Sequence, residues 1–428
     1  MAKENLREIA AETLIEILEK GSFSHLVIKN VLDKYAYLDK AERSFINRLC
    51  NGTIERKLEL TYIINSCSKT KANKMKPLIR TFLLMGAYEI YYMDSVPESA
   101  TCNEYVKLAK KRGFSGLSGF VNGVLRGIAR TKGQVDIPDV ATKYSIPEWM
   151  YQLWEQQFGE SQAKQIAAGF YVEQPLSIRV NTALTTVEEL TSELTESGIV
   201  VEADSAIPYE LYISSFDRLA TIDAFKKGKF YVQDHSSMLV GAKIESRLSG
   251  EDLKVIDCCA APGGKSLHIA ELIGNRGSVE ARDLTASKVE LINENIERTG
   301  ATNVVAKQWD ATVLDQSAVD SADVVVADLP CSGLGIIRKK PDIKYRMDEA
   351  QIAEIEALQA QILDVVCQYV KAGGTLIYST CTINKGENDN QVAAFLEKHS
   401  EFSMVESNQL FPDKYQDGFY ICVMQKKK

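Results

Sequence analysis

The sequence predicts a multidomain α + α/β chain: an all-helical front, a small α/β module and a carboxy-terminal open sheet of the Rossmann-like kind. Three observations predict it. Up to about residue 130, apolar residues recur at helical spacing with no alternating strand among them. Between about 160 and 235 a strand, a helix and two strands follow one another. Beyond 250, short apolar strands alternate strictly with helices, the pattern of a doubly wound parallel sheet. At 428 residues the chain can bury two or three cores. The expected boundaries are 1–135, a linker at 136–159, a module at 160–235 and a last domain at 236–428.

In the front, Leu6, Ile9, Ala10, Leu14, Ile17 and Leu18 mark one helical face, and Gly21 stops that helix. "LIRTFLLMGAYEIYYM" and "GLSGFVNGVLRGIAR" continue the period, and Gly116, Gly119, Gly123 and Gly127 predict close helix packing. The linker is expected from two Ile-Pro steps and few apolar residues. In the module, "LSIRVN" reads as strand, "TTVEELTSELTESG" as helix, and "IVVEAD" and "LYISS" as strands. In the last domain the strands are "LKVIDCC", "GSVEARD", "NVVAKQWDA", "ADVVVADLP" and "GTLIYSTCT". Helices are expected at "KSLHIAELI", "SKVELINENIERT", "EIEALQAQILDVVCQYV" and "NDNQVAAFLEKH".

Composition narrows the function classes. No apolar run approaches the roughly 18 residues of a membrane helix, and the start has no signal-peptide core. Nine scattered cysteines, with no CxxC pair, and four distant histidines argue for a reducing cytoplasm and against a structural metal site. The net charge of −8 hides an asymmetry. Residues 1–130 hold 21 Lys and Arg against 14 Asp and Glu, and the remainder 29 against 44. Arg56, Lys57, Lys69, Lys71, Lys74, Lys76 and Arg80 concentrate the positive charge, which suits either a solvated face or a polyanion partner. Nothing in the pattern calls for a membrane or an obligate protein partner.

The chemistry concentrates at predicted strand ends. "DCCAAPGGKS" (257–266) is a glycine turn between a strand and its helix, where amide N–H groups point at a ligand. A dinucleotide site would need GxGxxG, which is absent. A P-loop would need a glycine where Cys259 stands, and Pro262 stiffens what should be a wrap of amides. Asp283, 26 residues after Asp257, can hold ribose hydroxyls, and Asp310 can reach an adenine amino group. Asp328 ends the next strand. A nucleoside without phosphates uses these acids, an NTPase does not; the ligand expected is S-adenosyl-L-methionine. Cys331 and Cys381 follow the fourth and fifth strands of the sheet, whereas Cys50, Cys67, Cys102, Cys367 and Cys422 read as core. A thiol beside a methyl donor suits methylation of cytosine C5, a carbon that becomes nucleophilic only after thiolate addition at C6. An acid at N3, a role for Asp328, assists that addition. Residue patterns alone leave open which of the two thiols attacks.

"DCCAAPGGK", "DLPCSGLG" and "YSTCTINKGEND" resemble motifs of the RNA (cytosine-5) methyltransferases of the NOL1/NOP2/Sun group, and "YVQDHSSML" resembles that group's lead-in to its class I methyltransferase domain. The helical front resembles the antitermination factor NusB, an RNA-binding fold. The resemblance covers nearly the whole chain. It implies an S-adenosylmethionine site lined by Cys259, Ala260, Ala261, Pro262, Gly263, Gly264 and Lys265 and completed by Asp283, Asp310 and Asp328. It implies Cys381 as nucleophile and Cys331 as an aid to product release, with 16S rRNA as substrate. Methylation of tRNA or another rRNA site, and a non-catalytic RNA-binding assembly factor, are the alternatives. The loop "IIRKKPDIKYRM" is expected beside the target pocket, its Arg338, Lys339, Lys340, Lys344 and Arg346 contacting RNA, the alternative being a solvated loop.

Overall fold

A computed structural model describes residues 4–203, 206–248, 250 and 252–428. The first helix, α1 (Leu6–Leu18), starts where the Asn5 side chain accepts from the Arg7 and Glu8 amides. It is followed by α2 (Ser24–Lys34), α3 (Lys40–Glu55), α4 (Lys57–Cys67), α5 (Pro77–Tyr92), α6 (Glu98–Lys111) and α7 (Ser118–Arg130). An Asp39–Glu42 capping box opens α3. Their apolar faces share one core, centred on the almost wholly buried α5. Glu89 of α5 is fully buried, yet it binds Arg7 at 2.7 Å and also accepts from Thr101 and Tyr105. A buried carboxylate requires such partners.

The close helix contacts fall at other glycines than expected. A Cβ at Gly116, Gly119 or Gly123 would meet open space, and only Gly127 lies against another helix, at Cys67. The tight approaches are at Gly52, under the Tyr88 ring, and at Gly86, under Leu125. Cys67, expected in the core, is half-buried and bonds Thr131.

The stretch 136–159, expected as a linker, is folded. It carries α8 (Val140–Lys143) and α9 (Glu148–Phe158), and α10 (Glu160–Gly169) follows. Ile146, Met150, Trp154, Ile166 and Phe170 are buried, so the few apolar residues are spaced to bury efficiently. All of this belongs to one compact unit, residues 1–171 together with Ile337–Arg346. The basic loop expected at a target pocket is thus part of the helical unit. The Ser24 amide and hydroxyl donate to Asp342, and Lys344 Nζ donates to the Glu55 carbonyl at 2.7 Å. Arg338 donates to the Gly169 and Phe170 carbonyls, and the Arg346 guanidinium lies 3.9 Å over the Phe23 ring. Tyr345 packs on the helical core. Long basic side chains bury their stems and spend their heads on carbonyls.

The second unit comprises residues 172–336 and 347–428. Its first part holds β1 (Leu176–Val180), α11 (Val187–Glu196), β2 (Val200–Glu202), β3 (Glu210–Ser214), α12 (Asp223–Lys226) and β4 (Phe230–Val232). The strands pair antiparallel in the order β2-β3-β1-β4; β4 was not expected, and Asp204, the end of an expected strand, lies outside the described residues. Arg179 of β1 pairs with Glu271 at 2.7 Å, and Asn181 donates to the Gly228 and Thr299 carbonyls.

Next come α13 (His235–Ile244), β5 (Leu253–Asp257), α14 (Gly264–Ile273), β6 (Gly277–Asp283), α15 (Ala286–Thr299), β7 (Val304–Gln308) and β8 (Ala322–Asp328). The chain ends with α16 (Glu349–Val366), β9 (Val370–Thr380), α17 (Asp389–Lys398), β10 (Phe402–Leu410) and β11 (Phe419–Lys426). The sheet order is β10-β11-β9-β8-β5-β6-β7. The pairs from β9 to β7 are parallel, as expected. The hairpin β10–β11 adds two antiparallel strands, so the sheet is mixed and not purely parallel. Successive strand residues face opposite sides: Val255 and Val324 join the core under α13, α14 and α15, while Ile256 and Val325 join the one under α16 and α17.

Candidate active site

Parallel strands present their carboxyl ends on one edge, where a crevice forms. Asp257, Asp283 and Asp328 are the last residues of β5, β6 and β8, and Asp310 stands two residues beyond β7. The Ala260 amide donates to the Arg282 carbonyl at 2.8 Å, and the Gly263 amide to the Ala260 carbonyl at 2.7 Å. Gly263 adopts φ +101°, a left-handed conformation for which glycine is suited, and α14 begins at the next residue. A Cβ on Gly264 would stand 2.9 Å from the Tyr231 ring. The turn therefore packs closely against β6 on one side and the Tyr231 ring on the other.

The acids differ in setting. Asp283 is buried; it accepts from the Ala261 amide at 3.0 Å and the Leu284 amide at 2.8 Å, with Lys288 Nζ at 3.0 Å. Asp310 is exposed, and its Oδ1 caps the amide and hydroxyl of Thr312, which hold the carboxyl below its usual range. Burial pushes Asp257 up to about 7, against the hydrogen bond from Ser266. Asp328 accepts from Lys265 Nζ at 2.8 Å and from the Ser379 hydroxyl at 2.8 Å. Burial opposes the charge on Lys265, but Asp328 outweighs it and leaves the ammonium above its usual range.

Cys331 and Cys381 come together, Sγ to Sγ, at 3.1 Å. The register explains this: Asp328 of β8 lies opposite Ser379 of β9, and each chain then leaves the sheet beside the other. The hydrogen bond to Cys381, then burial, holds the Cys331 thiol well above its ordinary range. Behind the thiols lies a layer the motifs quoted above contain without revealing its role. Glu387, fully buried, accepts from the Ser332 amide at 2.7 Å and from the Ser332 hydroxyl at 2.6 Å. Asn384 and Gln359 also donate to it. A buried acid in "NKGEND", six residues beyond Cys381, was the available signal.

Residues 247–425 match the family model of 16S rRNA methyltransferase RsmB/F, residues 4–130 that of the NusB family, and residues 146–217 a ferredoxin-like domain of RsmF/B-like methyltransferases. The chain is 34% identical to the "Probable ribosomal RNA small subunit methyltransferase B" of Bacillus subtilis (strain 168), with 100% of both chains covered. The chain belongs to the ribosomal RNA small subunit methyltransferase B family. The Synechocystis sp. relative of the same name is 32% identical, with 98% of this chain and 99% of the relative covered. Among solved structures, PH0851 superposes with a TM-score of 0.82 at 24% identity, covering 99% of each chain. NSun6 from Pyrococcus horikoshii, solved with SFG, superposes at 0.59 and 24% identity, covering 66% of this chain and 98% of its own. At that identity the structural matches speak to the fold: a methyltransferase B family member carries a NusB domain, a ferredoxin-like module and a methyltransferase domain with a mixed sheet. Among the described residues no helix is long and apolar enough to cross a membrane.

Proposed function

We propose that this chain transfers a methyl group from S-adenosylmethionine to C5 of a cytosine in 16S rRNA, through a covalent bond from Cys381 to C6. The observation that carries the reading is the pair of thiols 3.1 Å apart at the ends of adjacent strands, beside a glycine turn and a row of acids. The donor set suits an aminoacyl nucleoside: carboxylates can accept from ribose hydroxyls and an ammonium, and they would repel a triphosphate. Cys259, Ala260, Ala261, Pro262, Gly263, Gly264 and Lys265 would line that ligand, with Asp283, Asp310 and Asp328 around it. Bound there, S-adenosylmethionine supplies an electrophilic methyl group.

The chain's own residues do the rest. The Cys381 thiolate adds to C6 while N3 takes up a proton from the Lys265–Asp328 pair, which makes C5 an enamine carbon able to take the methyl group. The C5 proton then passes to the Cys331 sulfur as that thiol gives its own proton to the departing Cys381 sulfur, and the C5–H electron pair becomes the C5=C6 bond. The C6–S bond breaks, and its pair takes the proton that Cys331 gives up. N3 returns its proton to the pair. A Cys331 thiol held protonated beside Cys381 supports this relay.

The RNA partner follows from the family, from the NusB-like front and from Lys69, Lys71, Lys74 and Lys76, which are exposed and have no carboxylate partner among the described residues. A cytosine must leave its stack to meet a thiol, so a loop or a partly assembled subunit is the expected form. Cytosine 967 is the position that the resemblance implies, and the mapping below tests it. The test is adduct trapping with bisulfite mapping of the product. Cys381→Ala should transfer no methyl group and form no adduct, and Cys331→Ala should accumulate protein joined to RNA as a nuclease-sensitive slow band in a denaturing gel. Exchange of the two phenotypes would make Cys331 the nucleophile and overturn the assignment.

A further inference from the structure

The buried glutamate behind the two thiols has no part in the steps above. Its surroundings connect the two loops that carry them. Ser332, next to Cys331, gives Glu387 both its amide and its hydroxyl, one to each carboxylate oxygen. The same hydroxyl lies 2.9 Å from the hydroxyl of Thr382, next to Cys381. Asn384 Nδ2 donates to Glu387 Oε2 at 3.2 Å, and Gln359 Nε2 bridges Glu387 Oε1 and the Pro330 carbonyl. Farther along, the Gly335 amide donates to the Cys381 carbonyl at 3.0 Å. A Cβ at Gly335 would stand 1.9 Å from the Gly418 carbonyl oxygen, so the loop cannot shift toward that side.

An ionised carboxylate is an acceptor only, and here every group that meets it is a donor. An amide in its place would turn an N–H toward one of those donors. Keeping a carboxylate in a fully buried position is costly unless its bonds are made, so the chain holds Glu387 there against that cost. Two of the bonds it makes, one on each carboxylate oxygen, come from one residue, the neighbour of Cys331.

We infer that Glu387 is a positioning residue for product release: through Ser332 it holds the Cys331 thiol in line with the Cys381 sulfur, so that the proton relay breaking the C6–S bond can occur. The inference rests on the proposed covalent route. Glu387 itself touches neither the base nor the methyl donor, and formation of the Cys381 bond does not need it.

The test compares Glu387→Gln, Ser332→Ala and Cys331→Ala in the full-length protein with a 16S rRNA fragment. Glu387→Gln should form the adduct at the wild-type rate in a rapid-quench experiment, accumulate it, and turn over at least tenfold more slowly. The Kd for RNA and the Kd for S-adenosylmethionine should be unaltered, which a general loss of folding would not give. Ser332→Ala, which removes one of the same bonds, should accumulate adduct to a smaller extent, and it carries the test alone if Glu387→Gln gives no soluble protein. Wild-type turnover in Glu387→Gln, or failure to form adduct where Cys331→Ala forms it, overturns the inference. Should Cys331→Ala itself form no adduct, the covalent reading falls and takes this inference with it.

Discussion

Asp283→Ala probes the proposed methyl-donor site at the most enclosed of the three acids assigned to it. The carboxylate is 3% exposed and already braces the glycine turn through the Ala261 amide, with the Leu284 amide and Lys288 Nζ on its other oxygen. A ribose diol would add donors to a charged acceptor, an interaction contributing about 1.5–3 kcal/mol. At a factor of ten per 1.4 kcal/mol, its loss raises the Kd for S-adenosylmethionine about 10- to 150-fold. Isothermal titration calorimetry at fixed pH measures this directly, and S-adenosylhomocysteine should show the same factor because the ribose is common to both. Lys288→Ala is the control. Its ammonium is half exposed, so the pair contributes at most about 1 kcal/mol, and affinity should stay within about fivefold of wild type. If Asp283→Ala lowers the melting temperature yet binds within twofold of wild type, the carboxylate only braces the turn and the ribose assignment is wrong.

Two further outcomes follow from the helical unit. Replacing Lys69, Lys71, Lys74 and Lys76 by Glu should weaken RNA binding and flatten its salt dependence, by about 0.7 in the log–log slope for each single-strand phosphate that no longer meets a lysine; a filter-binding salt series with an unchanged slope would remove this face from the RNA surface. Charge reversal is the cleaner experiment, since deleting residues 1–130 would strip Tyr345 of the core it packs on. Burial drives the Lys344 ammonium below its usual range, with Glu55 opposing and Arg56 adding to the shift. The unfolded chain then binds more protons from neutral pH up to the ordinary lysine pKa of about 10.4, so this group's contribution to stability rises with pH across that window. Urea unfolding from pH 7 to 9.5 should therefore show wild type gaining on Lys344→Met as pH rises. Parallel curves would refute the shift.

How much was legible depended on whether a feature was local. Apolar period and glycine punctuation were enough for the helical front, because a helix that buries one stripe must repeat it every three to four residues. The strands β5 to β9 were legible for a similar reason: buried parallel strands are short apolar runs, and their crossover helices separate them. The hairpin β10–β11 was not. "FSMVESNQL" leaves Met404 and Val405 exposed while Phe402 is buried, so it shows no clean alternation, and "FYICVM" is a continuous run that a buried helix would share. The helices at 140–169 were missed because two Ile-Pro steps and few apolar residues read as a linker, although Pro147 before Glu148 marks a helix start.

The sequence by itself determined the three-part architecture, the turn at 257–266, the acids that end the strands and the two cysteines beyond them, since each is a matter of residue type at a spacing. Tertiary structure alone decided what those groups meet. The β8–β9 register sets the thiols 3.1 Å apart. Packing also assigned Arg338, Lys344 and Arg346 to carbonyls and a ring of the helical unit, where a linear reading sees only positive charge seeking phosphate. And it placed Glu387 under Ser332, 55 residues earlier in the chain. Spacing along a chain records which face a residue shares with its neighbours; which distant group satisfies a buried charge is known only when the chain has closed around it.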